Sequence, residues 1–189
     1  MNTSQLTSTY RTKLIISAYK RCIKKGNRIL DIGCGTGVVT KILGNYFSSK
    51  VTGADVKNYL IDKRIPFIKI NNGKIPVKSN VFDFSMLNDV LHHIDKEHQV
   101  NVIKEAARVG KTVLLFEFEP TILGKIADII LNKFHYGDLY APLSMRSKGE
   151  WQNLIKGLGF RCKIIILERP FWYPFSHVAF IISRDNDRS

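Results

Sequence analysis

At 189 residues, with 44% hydrophobic and 24% charged positions, the chain fits one globular domain that buries about 70% of its unfolded surface. Its three cysteines, Cys22, Cys34 and Cys162, share no paired spacing, which excludes a disulfide framework or a zinc site and fits a reducing compartment. The formal net charge is +13, and neither a signal-peptide pattern nor a bilayer-length apolar run is present, so a cytoplasmic location is expected.

Residues 5–25 predict an N-terminal helix, because Leu6, Tyr10, Leu14, Ala18 and Cys22 recur at helical spacing with Ile15 and Tyr19 beside them. The first thirty residues hold Arg11, Lys13, Lys20, Arg21, Lys24, Lys25 and Arg28 and no acid. That bias suits nucleic acid, anionic lipid or an acidic substrate, but equally a solvated face, since no basic run reaches five residues. Gly26-Asn27 stops the helix, and Arg28–Ile32 reads as the first buried strand. Thr36 or Gly37 opens a helix running to Tyr46, and Lys50–Asp55 is a second strand that ends in an acid.

A short helix or turn over Asn58–Lys63 leads to a third strand, Pro66–Ile70. Asn71 to Pro76 is loop, punctuated by Gly73 and Pro76. Val81–Leu87 is a fourth strand, Asp95–Val109 a helix with Asp95 as N-cap and Gly110 as its stop, and Lys111–Phe118 a fifth strand, apolar enough to be covered on both faces. Pro120 opens an amphipathic helix bearing Ile122, Ile126, Ile129, Ile130 and Phe134, after which 135–147 is irregular. Glu150–Gly157 is a further helix, and Phe160–Leu167 and His177–Ser183 are two last strands. Strands alternating with helices predict a doubly wound, mostly parallel α/β sheet. The connection from 167 to 177 is too short for a parallel crossover, so the seven-stranded sheet should close with an antiparallel hairpin.

The chemistry gathers around Arg28 to Thr40, where a strand carrying Asp31 runs into Gly33, Gly35 and Gly37 and then a helix start. Glycines there permit positive φ and close ligand approach, and the helix start offers unpaired N–H groups to a negative group. The dinucleotide fingerprint G-x-G-x-x-G/A requires a small sixth residue, whereas the chain has Val38 there and its third glycine one residue early. That disfavours NAD.

The spacing Asp31-x-Gly33-x-Gly35-x-Gly37 resembles the first motif of class I S-adenosylmethionine-dependent methyltransferases. Three further segments extend the resemblance: Asp55 at the second strand end, the Asn71–Pro76 loop followed by Val81-Phe82-Asp83-Phe84, and Leu91-His92-His93, which is similar to the V-L-H-H run of the small-molecule "type 11" branch. The closing hairpin fits the same Rossmann-like fold. The resemblance covers roughly residues 28–183 and implies one domain over 1–189. Within it, 1–27 is an N-terminal helix, 28–119 the cofactor half, and 120–189 the acceptor side.

The implied cofactor is S-adenosyl-L-methionine, with S-adenosyl-L-homocysteine as product and no metal. Its implied contacts are Asp31, Gly33, Cys34, Gly35, Thr36 and Gly37 in the turn, Asp55 on the ribose hydroxyls with Val56 beside it, Asn71 or Asn72 with Gly73 near the adenine, and Asn88. A carboxylate suits a vicinal diol because it accepts two hydrogen bonds, and an amide oxygen can accept from an exocyclic amine. The family's adenine-contacting acid is thus an amide here, and its L-K-P-G-G turn is replaced by Ala107 to Lys111. Asp31 could instead cap the helix, and Cys34 reads as a small turn residue.

Asn88, Asp89 and His92 are the candidate catalytic residues, with His93 shaping the site floor. Capping of the next turn is the plainer role for Asn88 and Asp89. Glu117 and Glu119 fall on one face of the fifth strand, Glu119 doubling as an N-cap before Pro120. His135, Tyr136, Tyr140 and Phe171-Trp172-Tyr173 are candidate walls of an apolar acceptor pocket, or core. The expected function is methyl transfer to a small-molecule or lipid-like acceptor. The charge keeps an RNA (tRNA or rRNA) methyltransferase as the alternative, and a non-catalytic partner subunit of the same fold is a third. Segment 121–134 permits peripheral membrane contact, a core-facing helix being the plainer reading.

Overall fold

The computed structural model describes residues 3–122, 124, 126, 143–168 and 170–184. Most of the helix expected over 120–134, together with His135, Tyr136 and Tyr140, lies outside the described residues.

Seven strands form one sheet: β1 (Arg28–Ile32), β2 (Lys50–Asp55), β3 (Phe67–Lys69), β4 (Phe82–Asn88), β5 (Gly110–Phe118), β6 (Phe160–Ile166) and β7 (His177–Arg184). Their order is β3-β2-β1-β4-β5-β7-β6. The first five run parallel, and β7 pairs antiparallel with both β5 and β6. The short connection thus forces the antiparallel pair the sequence predicts, and β7 sits inside the sheet while β6 takes its edge. Their residues explain that choice. β7 is nearly continuous in apolar character and buried, whereas β6 alternates, with Arg161 and Lys163 between half-buried positions.

Four helices flank the sheet among the described residues: α1 (Thr3–Tyr19), α2 (Val38–Phe47), α3 (Lys96–Val109) and α4 (Lys148–Gly157). Alternation along β1 divides the core. Leu30 and Ile32 face one layer with Ile103 and Ala106 of α3 and Trp151 and Ile155 of α4. Ile29 faces the other, with Leu14, Ile15 and Tyr19 of α1 and Leu43 and Phe47 of α2. Asp31, one alternation on from Ile29, therefore points toward α1 and α2.

α1 ends six residues before the expected stop. The N–H groups of Cys22 and Ile23 both turn back to the Tyr19 carbonyl, and the Ile23 side chain is buried, so the chain folds under the helix instead of extending it. α4 begins two residues earlier than expected because Ser147 forms a reciprocal cap: its hydroxyl accepts from the Glu150 N–H, and Glu150 accepts from the Ser147 N–H at 2.8 Å. Asp95 occupies the N-cap of α3 but makes no side-chain cap bond. No described helix is long and apolar enough to cross a membrane.

Candidate functional site

Strand order reverses between β1 and β4, and in open α/β sheets ligands bind beyond the carboxyl ends of the strands at that point. Ile32 is in register with Ala54 of β2 and Leu87 of β4, so Gly33, Asp55 and Asn88 emerge side by side. The turn is held from beneath, since the N–H groups of Gly33 and Cys34 both donate to the Ala54 carbonyl, at 2.8 and 3.2 Å. Gly33 has φ 75° and Gly37, the N-cap of α2, φ 77°. Both also sit close to neighbouring side chains: a Cβ on Gly33 would lie 2.3 Å from Val90 and one on Gly37 2.4 Å from Leu60, so either would need that side chain to shift. The remaining turn residues, Gly35 and Thr36, are half-buried, and Thr36 accepts from the Ile61 N–H at 3.0 Å.

Asp31 is buried, and its two oxygens are assigned separately. One accepts from the Thr40 hydroxyl of α2 at 2.6 Å, the other from the Asn88 amide at 3.2 Å. Burial pushes its carboxyl above the ordinary value, and those two hydrogen bonds offset only part of the shift. Asp31, Asn88, Gly33, Ile15 and Arg11 surround a cavity of about 50 Å³. Two buried polar atoms at this wall, the Asn88 Oδ1 and the Arg11 Nε, have no hydrogen-bond partner among the described residues. Arg11 escapes a local reading of the sequence; the available signal is a cation bordering the apolar stripe of Leu14, Ile15 and Ala18.

Asp55 holds the turn from the other side. It accepts from the Gly35 N–H at 3.0 Å and, through its second oxygen, from the Val56 N–H at 2.7 Å, leaving lone pairs on both oxygens. The Val56 side chain itself stands exposed. Asn71 to Lys74 is a tight turn closed by reciprocal Asn71–Lys74 backbone bonds, with Asn72 and Gly73 both at positive φ, the geometry Asn-Gly pairs favour. Behind it, Arg108 donates to the Ile75 and Val77 carbonyls and Glu105 accepts from the Ile75 N–H, fixing the loop to α3 while Asn71, Asn72 and Gly73 remain exposed. The Cys34 thiol is pushed up to about 12, chiefly by burial and then by Asp31 and Asp55. It is no nucleophile at neutral pH.

The two other candidate catalytic side chains turn inward. Asp89, at φ 51°, faces Arg11 of α1 at 3.5 Å and His177 of β7 at 3.3 Å, the latter contact not aligned as a hydrogen bond. Burial works to raise its carboxyl, but His177, Arg11 and His92 outweigh it and hold it below the ordinary value. His92 lies in the 3-10 turn Leu91–His93, 2% exposed, with its Nδ1 2.6 Å from Glu117. The other Glu117 oxygen accepts from the Val90 and Leu91 N–H groups at 3.0 and 2.7 Å. Neither Asp89 nor His92 is among the residues that line the cavity beside Asn88.

Asp89, His92 and Glu117 do bring potential metal-ligand atoms within 4.8 Å of one another. Both Glu117 oxygens have protein partners and one Asp89 oxygen faces Arg11, so the three side chains converge as an ion cluster. Glu119 accepts from the Lys148 N–H at 3.3 Å, adding to the Ser147 cap at the start of α4. Of the expected aromatic walls, Tyr173 is buried against His177 and Tyr10, whereas Phe171 is 99% exposed.

S-adenosylmethionine combines an ammonium, a carboxylate, a ribose diol and an adenine, and the residues present fit it. An orphaned amide oxygen and a guanidinium meet at a cavity suited to a small charged group, beside a glycine cradle and an acid with spare lone pairs.

Known proteins agree with that fit. The family model described as a methyltransferase domain matches residues 30–113. The chain is 25% identical over 149 residues to the ribosomal protein L11 methyltransferase of Thermosipho melanesiensis, covering 76% of this chain and 54% of that protein. It is 32% identical over 124 residues to an uncharacterized methyltransferase of Schizosaccharomyces pombe, covering 56% of this chain and 44% of that protein. The chain thus spans about half the length of the curated relatives it matches. Its fold is similar to that of a SAM-dependent methyltransferase from Archaeoglobus fulgidus, with a TM-score of 0.72, 15% identity and 94% of each chain covered.

Proposed function

We propose, from the methyltransferase-domain model that matches residues 30–113, that the chain is a class I, type 11 S-adenosylmethionine-dependent methyltransferase acting on a small-molecule or lipid-like acceptor. The observation that carries the reading is the wall shared by Asp31, Asn88 and Arg11. There a buried carboxylate, an amide oxygen without a partner among the described residues and a cation converge beneath a turn whose glycines adopt positive φ. When bound, the cofactor supplies an electrophilic methyl group on a sulfonium for in-line displacement.

The chain's own residues then have positioning work. Gly33 to Gly37 let the backbone approach the cofactor. Asp31 and Asn88 face its ammonium end, Asp55 accepts from the ribose hydroxyls, and Asn71 to Gly73 border the adenine. Asp89 and His92 act through the ion cluster, which fixes the backbone just after Asn88. Holding nucleophile and methyl aligned can contribute up to about 7–11 kcal/mol to the barrier reduction, so such a site functions without an acid–base dyad.

Isothermal titration of the folded protein with S-adenosylhomocysteine tests the assignment. The expected result is one-to-one binding that Asp55→Ala weakens by about tenfold or more. Absence of binding to the wild-type protein overturns it. Mass spectrometry of extracts incubated with labelled cofactor then identifies the acceptor.

A further inference from the structure

Between Ile166, the end of β6, and β7 the chain makes a turn with an unusual outer face. The Tyr173 N–H donates to the Pro170 carbonyl at 3.1 Å, closing a tight turn whose two central residues are Phe171 and Trp172. Phe171 is 99% exposed and Trp172 46% exposed. Pro170 and Pro174 each fix one φ on either side of the turn, and Tyr173 and Phe175 are buried anchors. Burial of those anchors accounts for the loop's shape but not for two large aromatic rings displayed to water at its tip.

The tip adjoins the most basic element of the chain. Trp172 packs edge-on against Tyr10 of α1 with ring centroids 5.0 Å apart. From Tyr10 onward the outer face of α1 and the turn that follows it carry Lys13, Lys20, Arg21 and Lys24, all exposed. No acid occurs in residues 1–30 to neutralise them. Ile122, 79% exposed, follows β5 at the same end of the sheet, since Phe118, the last residue of β5, pairs with His177 at the start of β7.

We propose that the Phe171–Trp172 tip and the basic face of α1 together form a docking surface for an anionic lipid bilayer. Rigid aromatic residues partition into the headgroup region, and lysines beside them gain from the negative surface potential. The shape favours a bilayer over nucleic acid, because a convex tip can enter a headgroup layer but offers no opposing wall to clamp a base. The surface is separate from the Asp31–Asn88 wall, so its test and that of cofactor binding fail independently.

The test uses the full chain and sedimentation with vesicles of phosphatidylcholine alone or with about a third phosphatidylglycerol. Binding is expected only to the anionic vesicles and should be lost at about 0.5 M salt. Trp172 emission should shift to the blue on binding, since the chain's other tryptophan, Trp151, is 1% exposed. Phe171→Ser combined with Trp172→Ser, and separately Lys13→Glu combined with Lys20→Glu, should each cut vesicle binding by about tenfold or more. Neither pair should change S-adenosylhomocysteine binding, and Phe171→Ser alone, at a side chain 99% exposed, should leave Tm unchanged. The proposal is overturned if the wild-type protein ignores anionic vesicles, or if the aromatic variant binds them as well as wild type. A Tm drop in Phe171→Ser alone also overturns it, by showing that the tip packs within the chain. So does retention of bulk tRNA at physiological salt without vesicle binding, which assigns the basic face to nucleic acid.

Discussion

Gly33 shows how one residue ties strand geometry to ligand access. Its backbone is left-handed and its missing Cβ makes room for Val90, so the turn leans directly on the segment after β4. Gly33→Ala should cost about 2–5 kcal/mol, combining left-handed strain with overpacking. Urea denaturation measures this. Adding Val90→Ala should recover the overpacking share but not the strain, so the double variant loses less than the sum of the two singles. The glycine pattern was legible in the sequence because positive φ leaves a residue-level trace. The Arg11–Asp89–His177 contacts were not, since they join α1, the residue after β4 and the first residue of β7, and no local spacing encodes such a meeting.

Among elements, the informative one is the short turn that follows β4. Glu117 reaches from β5 to accept from two backbone N–H groups of that turn and to face His92, so one buried side chain sets where β4 ends and Asn88 is presented. Glu117→Ala strands those donors in a buried site and should lower stability by about 2–5 kcal/mol. Glu119→Ala, which removes one longer bond to the first turn of α4, should cost about 1 kcal/mol or less. Thermal unfolding of the two variants separates them. The sequence could place both acids on one face but could not distinguish their roles, because the partners of each lie on elements remote in the chain. Strand limits were more legible. β1 and β2 begin and end where their apolar runs meet Gly, Asn and Asp, while the end of α1 depended on Ile23 finding a buried site.

For the whole molecule, buried titratable groups set opposing pH dependences. Burial, assisted by His92, depresses the His93 imidazole to about 4 from 6.5. The unfolded chain therefore binds the proton first, and stability falls as pH drops from 6.5 toward 4. Asp89, held low, contributes stability above pH 3.8 that is lost as pH falls through its folded value. Asp31 is raised, so its contribution runs the other way and declines as pH climbs above 3.8. Urea midpoints measured from pH 4 to 8 should fall on the acid side between 6.5 and 4, and His93→Gln should flatten that limb. Asp31→Asn should gain stability relative to wild type as pH rises above 3.8 while weakening cofactor binding.

The central position of the last strand also constrains the order in which this protein can be built. β5 and β6 meet only through β7, which carries every hydrogen bond between them. During synthesis β1 to β5 can pair as they appear, yet β5 keeps an open, apolar edge until His177 to Arg184 arrives. Completion of the sheet is therefore a late event. A nascent or C-terminally clipped chain would be the form that chaperones and proteases recognise, long after the cofactor turn had taken its shape.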